Sequence, residues 1–219
     1  MDKKETVEAD KSDKSDKSDK SDKSDKKIFI QRAVAFIIDV MLISFISSLI
    51  AVPFIDSDGM TKLSEGLMDL VGKYATNEIN YAVYVAESIP LVFQLARKSG
   101  VITLITLFLN VLYFIIYQFN HDGQTLGKKL MKIKVVSING NMTMNQMLVR
   151  SLVINSILVD MIVFGFTIFA TQDVYFYGSM FFEEIQSLIL FISVILIVFS
   201  KSGRGLHDLI SRCEVVEKK

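Results

Sequence analysis

The 219-residue sequence has no tryptophan, one cysteine and two histidines. Each shortage removes a class of explanation. Cys213 alone cannot close an internal disulfide and has no partner thiol for a metal site, so it reads as a small residue in a C-terminal strand. His121 and His207 do not make a His-x-x-x-His pair, and no Gly-x-Ser-x-Gly accompanies His207-Asp208. No metal, no cofactor and no enzyme's nucleophile is therefore expected. The formal net charge is zero, which predicts no nucleic-acid partner. The first apolar run is too long for a signal peptide, and no small-x-small cleavage site follows it before Pro53. Without tryptophan, interfacial anchoring falls to residues such as Tyr113, Tyr117, Tyr175 and Tyr177.

What is present is apolar length. Half of the chain (51%) is hydrophobic, which excludes a disordered protein and fits an integral membrane protein. A span needs ~20 apolar residues. Four are expected, at about 33–55, 101–119, 152–170 and 183–199, the last with Glu183 and Glu184 at the interface. Ile79–Leu95 is a rival fifth span. The segment otherwise reads as an amphipathic or re-entrant helix on the outer side. Residues 1–27 repeat Lys-Ser-Asp five times from Lys11 to Asp25 and read as a disordered tail, because they offer almost nothing apolar to bury. Residues 28–219 form the transmembrane domain.

Basic residues set the topology. Lys26, Lys27 and Arg32 precede the first span. Lys128, Lys129, Lys132, Lys134 and Arg150 lie between the second and third, and Lys201, Arg204 and Arg212 follow the fourth. Both termini are therefore expected inside. The basic segment at 128–134 can meet anionic lipid headgroups. Lys132–Ile138 alternates, and Asn139-Gly140 is a type I′ turn signal leading to Met142 and Met144. That predicts a hairpin, with Arg212–Glu217 available as a third strand. The expected fold is an all-α membrane protein, a four-transmembrane-helix bundle with a small cytoplasmic β-hairpin or lid.

Two acidic residues lie within spans, Asp39 and Asp160. Carboxylates at that depth are costly and are the default functional candidates. Arg32 lies two turns before Asp39, on nearly the same face but too far for a simple ion pair, and reads as an interfacial, snorkelling residue or a positive-inside marker. Arg150 lies ten residues before Asp160 on a different face. Asn110, Asn155 and Ser156 either converge with the carboxylates in a cavity or join helices by hydrogen bonds. Gly123-Gln-Thr-Leu-Gly127-Lys128 lacks the phosphate-loop spacing and reads as a tight turn feeding a basic segment. Asp208 reads as a cap or a bridge to Arg204.

Taken in order, these pieces resemble the RDD family of bacterial membrane proteins. The likeness runs through Arg32-Ala-Val-Ala-Phe-Ile-Ile-Asp39, Gly123-Gln-Thr-Leu-Gly-Lys128, Ile133-Lys-Val-Val136, Asn139-Gly140, Arg150, Arg204-Gly-Leu-His-Asp208 and Val215-Val216. The family is named for one Arg and two Asp. The resemblance places these at Arg32, Asp39 and Asp208, with Asp160 the alternative for the last. It implies a bacterial cytoplasmic membrane and a small transporter, with exchange of a monovalent cation for protons as its chemistry. A homo-oligomer is expected, because four spans are few for a transport path. The competing expectation is a non-transporting scaffold or assembly factor whose carboxylates only hold helices together.

Overall fold

The computed structural model describes residues 5–200 and 202–218, with side chains from Lys27 onward. Of the tail expected to be disordered, residues 1–4 lie outside those described, and from Glu5 its backbone is the start of a helix. The chain begins in α1 (Glu5–Ala51), which closes in a 3-10 turn at Val52–Phe54. A helical hairpin follows, α2 (Ser57–Ala75) and α3 (Tyr81–Lys98). Next comes α4 (Gly100–Val111), which passes through a π-turn at Leu112–Tyr117 into the short α5 (Gln118–Asn120). The rest is α6 (Leu126–Leu130), β1 (Ile133–Ser137), α7 (Met144–Ile154), α8 (Ile157–Phe169), α9 (Gln172–Phe199), α10 (Leu206–Ser211) and β2 (Cys213–Glu217).

Three stretches are long and apolar enough to cross a membrane: Lys27–Phe54, Gly100–Asn120 and Gln172–Phe199. A fourth arises if α7 and α8, bent by 64° at their junction, count as one span. Two expected boundaries move. In place of a straight helix from residue 152 there is a broken pair that begins at Met144 and bends before Ile157. The last runs from Gln172 because Thr171 caps it, donating nothing and accepting from Val174 N at 3.4 Å. Glu183 and Glu184 thus lie inside a continuous helix on its exposed side. The rival fifth span, within α3, is not among the stretches that qualify.

The helices are inside-out relative to a water-soluble bundle. Every fourth residue of α1 is buried, through Ala35, Asp39, Ile43, Ser47 and Ala51. Every seventh residue of α9 is buried, and all three are polar: Ser179, Gln186 and Ser193. Large apolar side chains such as Met41, Phe45, Leu49, Leu188 and Phe191 are exposed. Lipid tails give apolar side chains no reason to hide, so small and polar residues take the helix contacts.

The lid differs from the expected hairpin. β1 pairs antiparallel with β2, in register Val135↔Val215, and not with the residues after Asn139-Gly140. Those residues are claimed by α7. Thr143 and Gln146 form a capping box that starts the helix at Met144, so the expected Met142–Met144 strand is displaced. The strand pair buries Ile133, Val135, Cys213 and Val215 against Ala35 of α1. The start of the apolar part of α1, the 121–143 connection and the C-terminal strand therefore meet at one end of the bundle.

Candidate functional site

Three carboxylates define the interior, and the protein treats them differently. Asp39 is 1% exposed. Its Oδ1 accepts from Tyr113 OH at 2.6 Å and from Gly127 N at 2.8 Å, and its Oδ2 accepts from Thr125 Oγ1 at 2.5 Å. Tyr113 OH itself accepts from Leu126 N at 2.8 Å. Local sequence explains the clamp. Thr125 caps α6 by accepting from Lys128 N, and of the other first-turn N–H groups Gly127 N donates to the carboxylate and Leu126 N to Tyr113 OH. Gly127 is required by close approach: a Cβ there would lie 2.3 Å from Ala35 O and 2.8 Å from Asp39 Oδ1. Tyr113 sits in the π-turn, whose Phe114 carbonyl accepts from Ser151 Oγ at 2.8 Å.

Asp208 is fully buried and joins three segments. Arg32 donates to its Oδ2, and Arg150 Nε donates to its Oδ1 at 2.9 Å. His207 Nε2 lies 3.3 Å from Oδ1, and Gly205 N donates to Oδ2 at 3.2 Å. The arginine side chains are only 10% and 5% exposed. Arg32 also donates to Gly203 O at 2.8 Å. It therefore turns inward instead of snorkelling, because two acceptors await it below the lid. The partners of Asp208 are Arg32 and Arg150, not Arg204. Burial alone would raise the Asp208 carboxyl, but Arg150, the His207 hydrogen bond and Arg32 outweigh it and hold it well below the ordinary carboxylate value. Burial presses His207 down to about 4, so it is neutral at pH 7. Leu206 N donates to Ser193 Oγ at 3.0 Å, and that hydroxyl lies 2.7 Å from His207 Nδ1. The chain closes if Ser193 donates to Nδ1 and Nε2–H donates to Asp208.

Asp160 has neither kind of support. It is half-buried on the first turn of α8, just past the break. Among the described residues its carboxylate has no hydrogen-bond donor and no ion-pair partner. The break is built by Ser156 in the left-handed region, φ 56°. It frees the Val153 carbonyl, which Gln186 Nε2 of α9 satisfies at 2.8 Å; such rescue by a neighbouring helix is what lets a broken helix persist in lipid. A cavity of about 320 Å³ lies beside the break, lined by Asp160, Asn110, Asn155, Ser156, Ser44 and Thr106.

A second cavity, of about 370 Å³, lies nearer the lid and carries Arg32, Asp39, Lys128, Arg150 and His207 on its wall. The two cavities share Phe36, Phe114, Ile154, Asn155 and Leu190. Asp39 and Asp160 thus line neighbouring cavities rather than one, and Asn155 lies at the junction. Lys128 keeps some exposed surface, yet burial, Arg150 and Arg32 push its ammonium down to about 7 against the pull of Asp39 and Asp208.

A model of the RDD family matches residues 28–212. The chain belongs to the RDD family. No curated protein and no solved structure matches it. In this RDD protein Arg32 and Asp208 form an ion pair, while Asp39, two turns beyond Arg32 on α1, sits in its own clamp beside the same cavity. Sequence reasoning missed Gln186 and Ser193 and the part that Thr125 and Gly127 play in the clamp; it gave Tyr113 only as an interfacial anchor and Lys128 only as part of the basic segment. Thr125 followed by Gly127 was the available signal. A capped helix start gathers N–H groups for an anion, and here that anion is the protein's own Asp39 instead of a phosphate.

Proposed function

We propose that this RDD membrane protein is a small transporter that exchanges a monovalent cation for protons, with Asp160 as the carrier. The supporting observation is an unpaired carboxylate at a helix break, facing a cavity of amide and hydroxyl groups that lack protein partners among the described residues. A carboxylate short of donors accepts either a proton or a cation, because each supplies the missing positive charge. Broken membrane helices offer oxygen ligands at such depths. Asp39 and Asp208 are poorly suited to carry, since both oxygens of each already accept hydrogen bonds from the protein. The reading sets the protein in the cytoplasmic membrane of a bacterium, both termini inside, because the basic connections gather at the lid end. It includes no catalytic step, and it includes a homo-oligomer to complete the path.

Proteoliposomes loaded with a pH-sensitive dye and pulsed with sodium, potassium or lithium test it. Wild type should move protons with at least one ion, and Asp160→Asn should not. Flux that survives Asp160→Asn, or folded wild type with no flux for any ion, overturns the reading. The second reading, a scaffold, is favoured by the saturation of Asp39 and Asp208, which fasten lid to bundle. Under it, flux is absent and deletion of residues 1–27 changes the proteins that co-purify.

A further inference from the structure

The cavity nearest the lid has an unbalanced charge. Arg32 and Arg150 share Asp208, and Asp39 is occupied by Tyr113, Thr125 and Gly127. That leaves the Lys128 ammonium, which makes no ion pair and no hydrogen bond among the described residues, on the cavity wall. Apart from these groups, His207 and Asn155, the lining of the cavity is apolar. Phe36 and Ile37 of α1 and Val194 of α9 line it and are also exposed on the outer face of the bundle. Ile197 lines it from the same side of α9. The cavity is therefore basic at its inner end and opens sideways, between α1 and α9, onto the surface where lipid lies.

We propose that this cavity binds an anionic phospholipid of the leaflet at the lid end, its phosphate on Lys128 and one acyl chain leaving between α1 and α9. Charge complementarity selects the occupant. Basic pockets between membrane helices hold anionic headgroups, and the apolar slot fits a chain that a soluble anion lacks. The second cavity at Asp160 is not needed for this, so the proposal stands apart from the transport reading.

Native mass spectrometry of the full chain with phosphatidylglycerol or phosphatidylcholine tests it. One phosphatidylglycerol should bind, about tenfold tighter than phosphatidylcholine, as expected for one or two extra charge contacts. Lys128→Met should abolish the preference and Lys128→Arg should keep it. Lys129→Met, on the exposed side of the same helix, should keep it too. Equal binding of both lipids overturns the proposal, as does displacement of phosphatidylglycerol by inorganic phosphate alone, which would make this a soluble-anion site. A wild-type measurement guards against a variant that fails to fold. Phosphatidylglycerol with a photoactivatable acyl chain should label α1 and α9 around Ile37 and Val194; labelling confined to other helices overturns the proposal.

Discussion

The lid end and the helix break hold the same kind of residue under opposite conditions. At the lid end, both carboxylate oxygens of Asp39 and of Asp208 accept hydrogen bonds, and the donors come from five separate segments. At the break, Asp160 has no donor among the described residues and lines a cavity. Membrane interiors tolerate buried charge only when it is paired or faces a watery cavity. The first solution fixes structure, and the second leaves room for a ligand. An intramembrane carboxylate is thus a weak guide to function until its partners are counted.

The largest effect that would break this contrast is at Asp208. Asp208→Ala leaves Arg32 and Arg150 buried without their acceptor, which should cost about 3–5 kcal/mol. Little monodisperse protein should survive size-exclusion chromatography in detergent. Normal yield would mean that the arginines find other partners and the latch is dispensable. Acid should reach the same latch without mutation. His207 is held near 4 in the folded chain, below its unfolded value of ~6.5. The unfolded chain therefore takes up protons first, and stability falls as pH drops from about 6.5 towards 4. Asp208, held below its unfolded ~3.9, contributes stability that is lost only below that. His207→Gln should flatten the Tm between pH 6.5 and 4 and leave the drop below 4; an unchanged profile refutes the assignment.

Gly127→Ala comes next. The added Cβ meets Ala35 O and Asp39 at distances real atoms do not adopt, so α6 must move off α1, at about 1–3 kcal/mol. For a chain of this size that is roughly 2–4 °C of Tm per kcal/mol. An unshifted Tm would show that the clamp is slack. At the break, Gln186→Leu removes the donor to Val153 O and should cost about 1–3 kcal/mol, the cost of one unsatisfied buried carbonyl. It should also change how the bend is held. If Tm and flux are both unaffected, water or another donor already serves that carbonyl.

Much of this was legible in the sequence, for identifiable reasons. Apolar length marked the spans, and the two acidic interruptions marked Asp39 and Asp160. β1 and β2 were legible from alternation at Lys132–Ile138 and at Val215-Val216. What failed was pairing. Asn139-Gly140 is a strong local hairpin signal, but the capping box at Thr143–Gln146 takes the following residues for a helix, and strand pairing passed to a segment 80 residues away. The break at Asn155-Ser156 carries no Pro or Gly to announce it. It depends on Gln186 from another helix, and no local rule reads a donor supplied 33 residues later. The inward turn of Arg32 was hidden for the same reason, since both of its acceptors, Gly203 O and Asp208, belong to the far end of the chain.

Asp160→Asn should have the smallest effect on stability and the sharpest on function. At Asp39 an amide keeps the Tyr113 and Gly127 bonds only by setting its NH₂ towards Thr125, whose hydroxyl must then turn from donor to acceptor. Asp160 has no donor among the described residues, and Asn keeps its shape while removing its charge. Its unfolding free energy should therefore stay within about 0.5 kcal/mol of wild type, as for substitutions away from packed or paired features. Under the transport reading, cation-driven proton movement should disappear from the same folded protein. A large loss of stability would reveal a hidden partner for Asp160 and move it to the structural side of the contrast. Full stability with unchanged flux would take the carrier role away from the break altogether, leaving the cavity there as a packing defect tolerated in lipid.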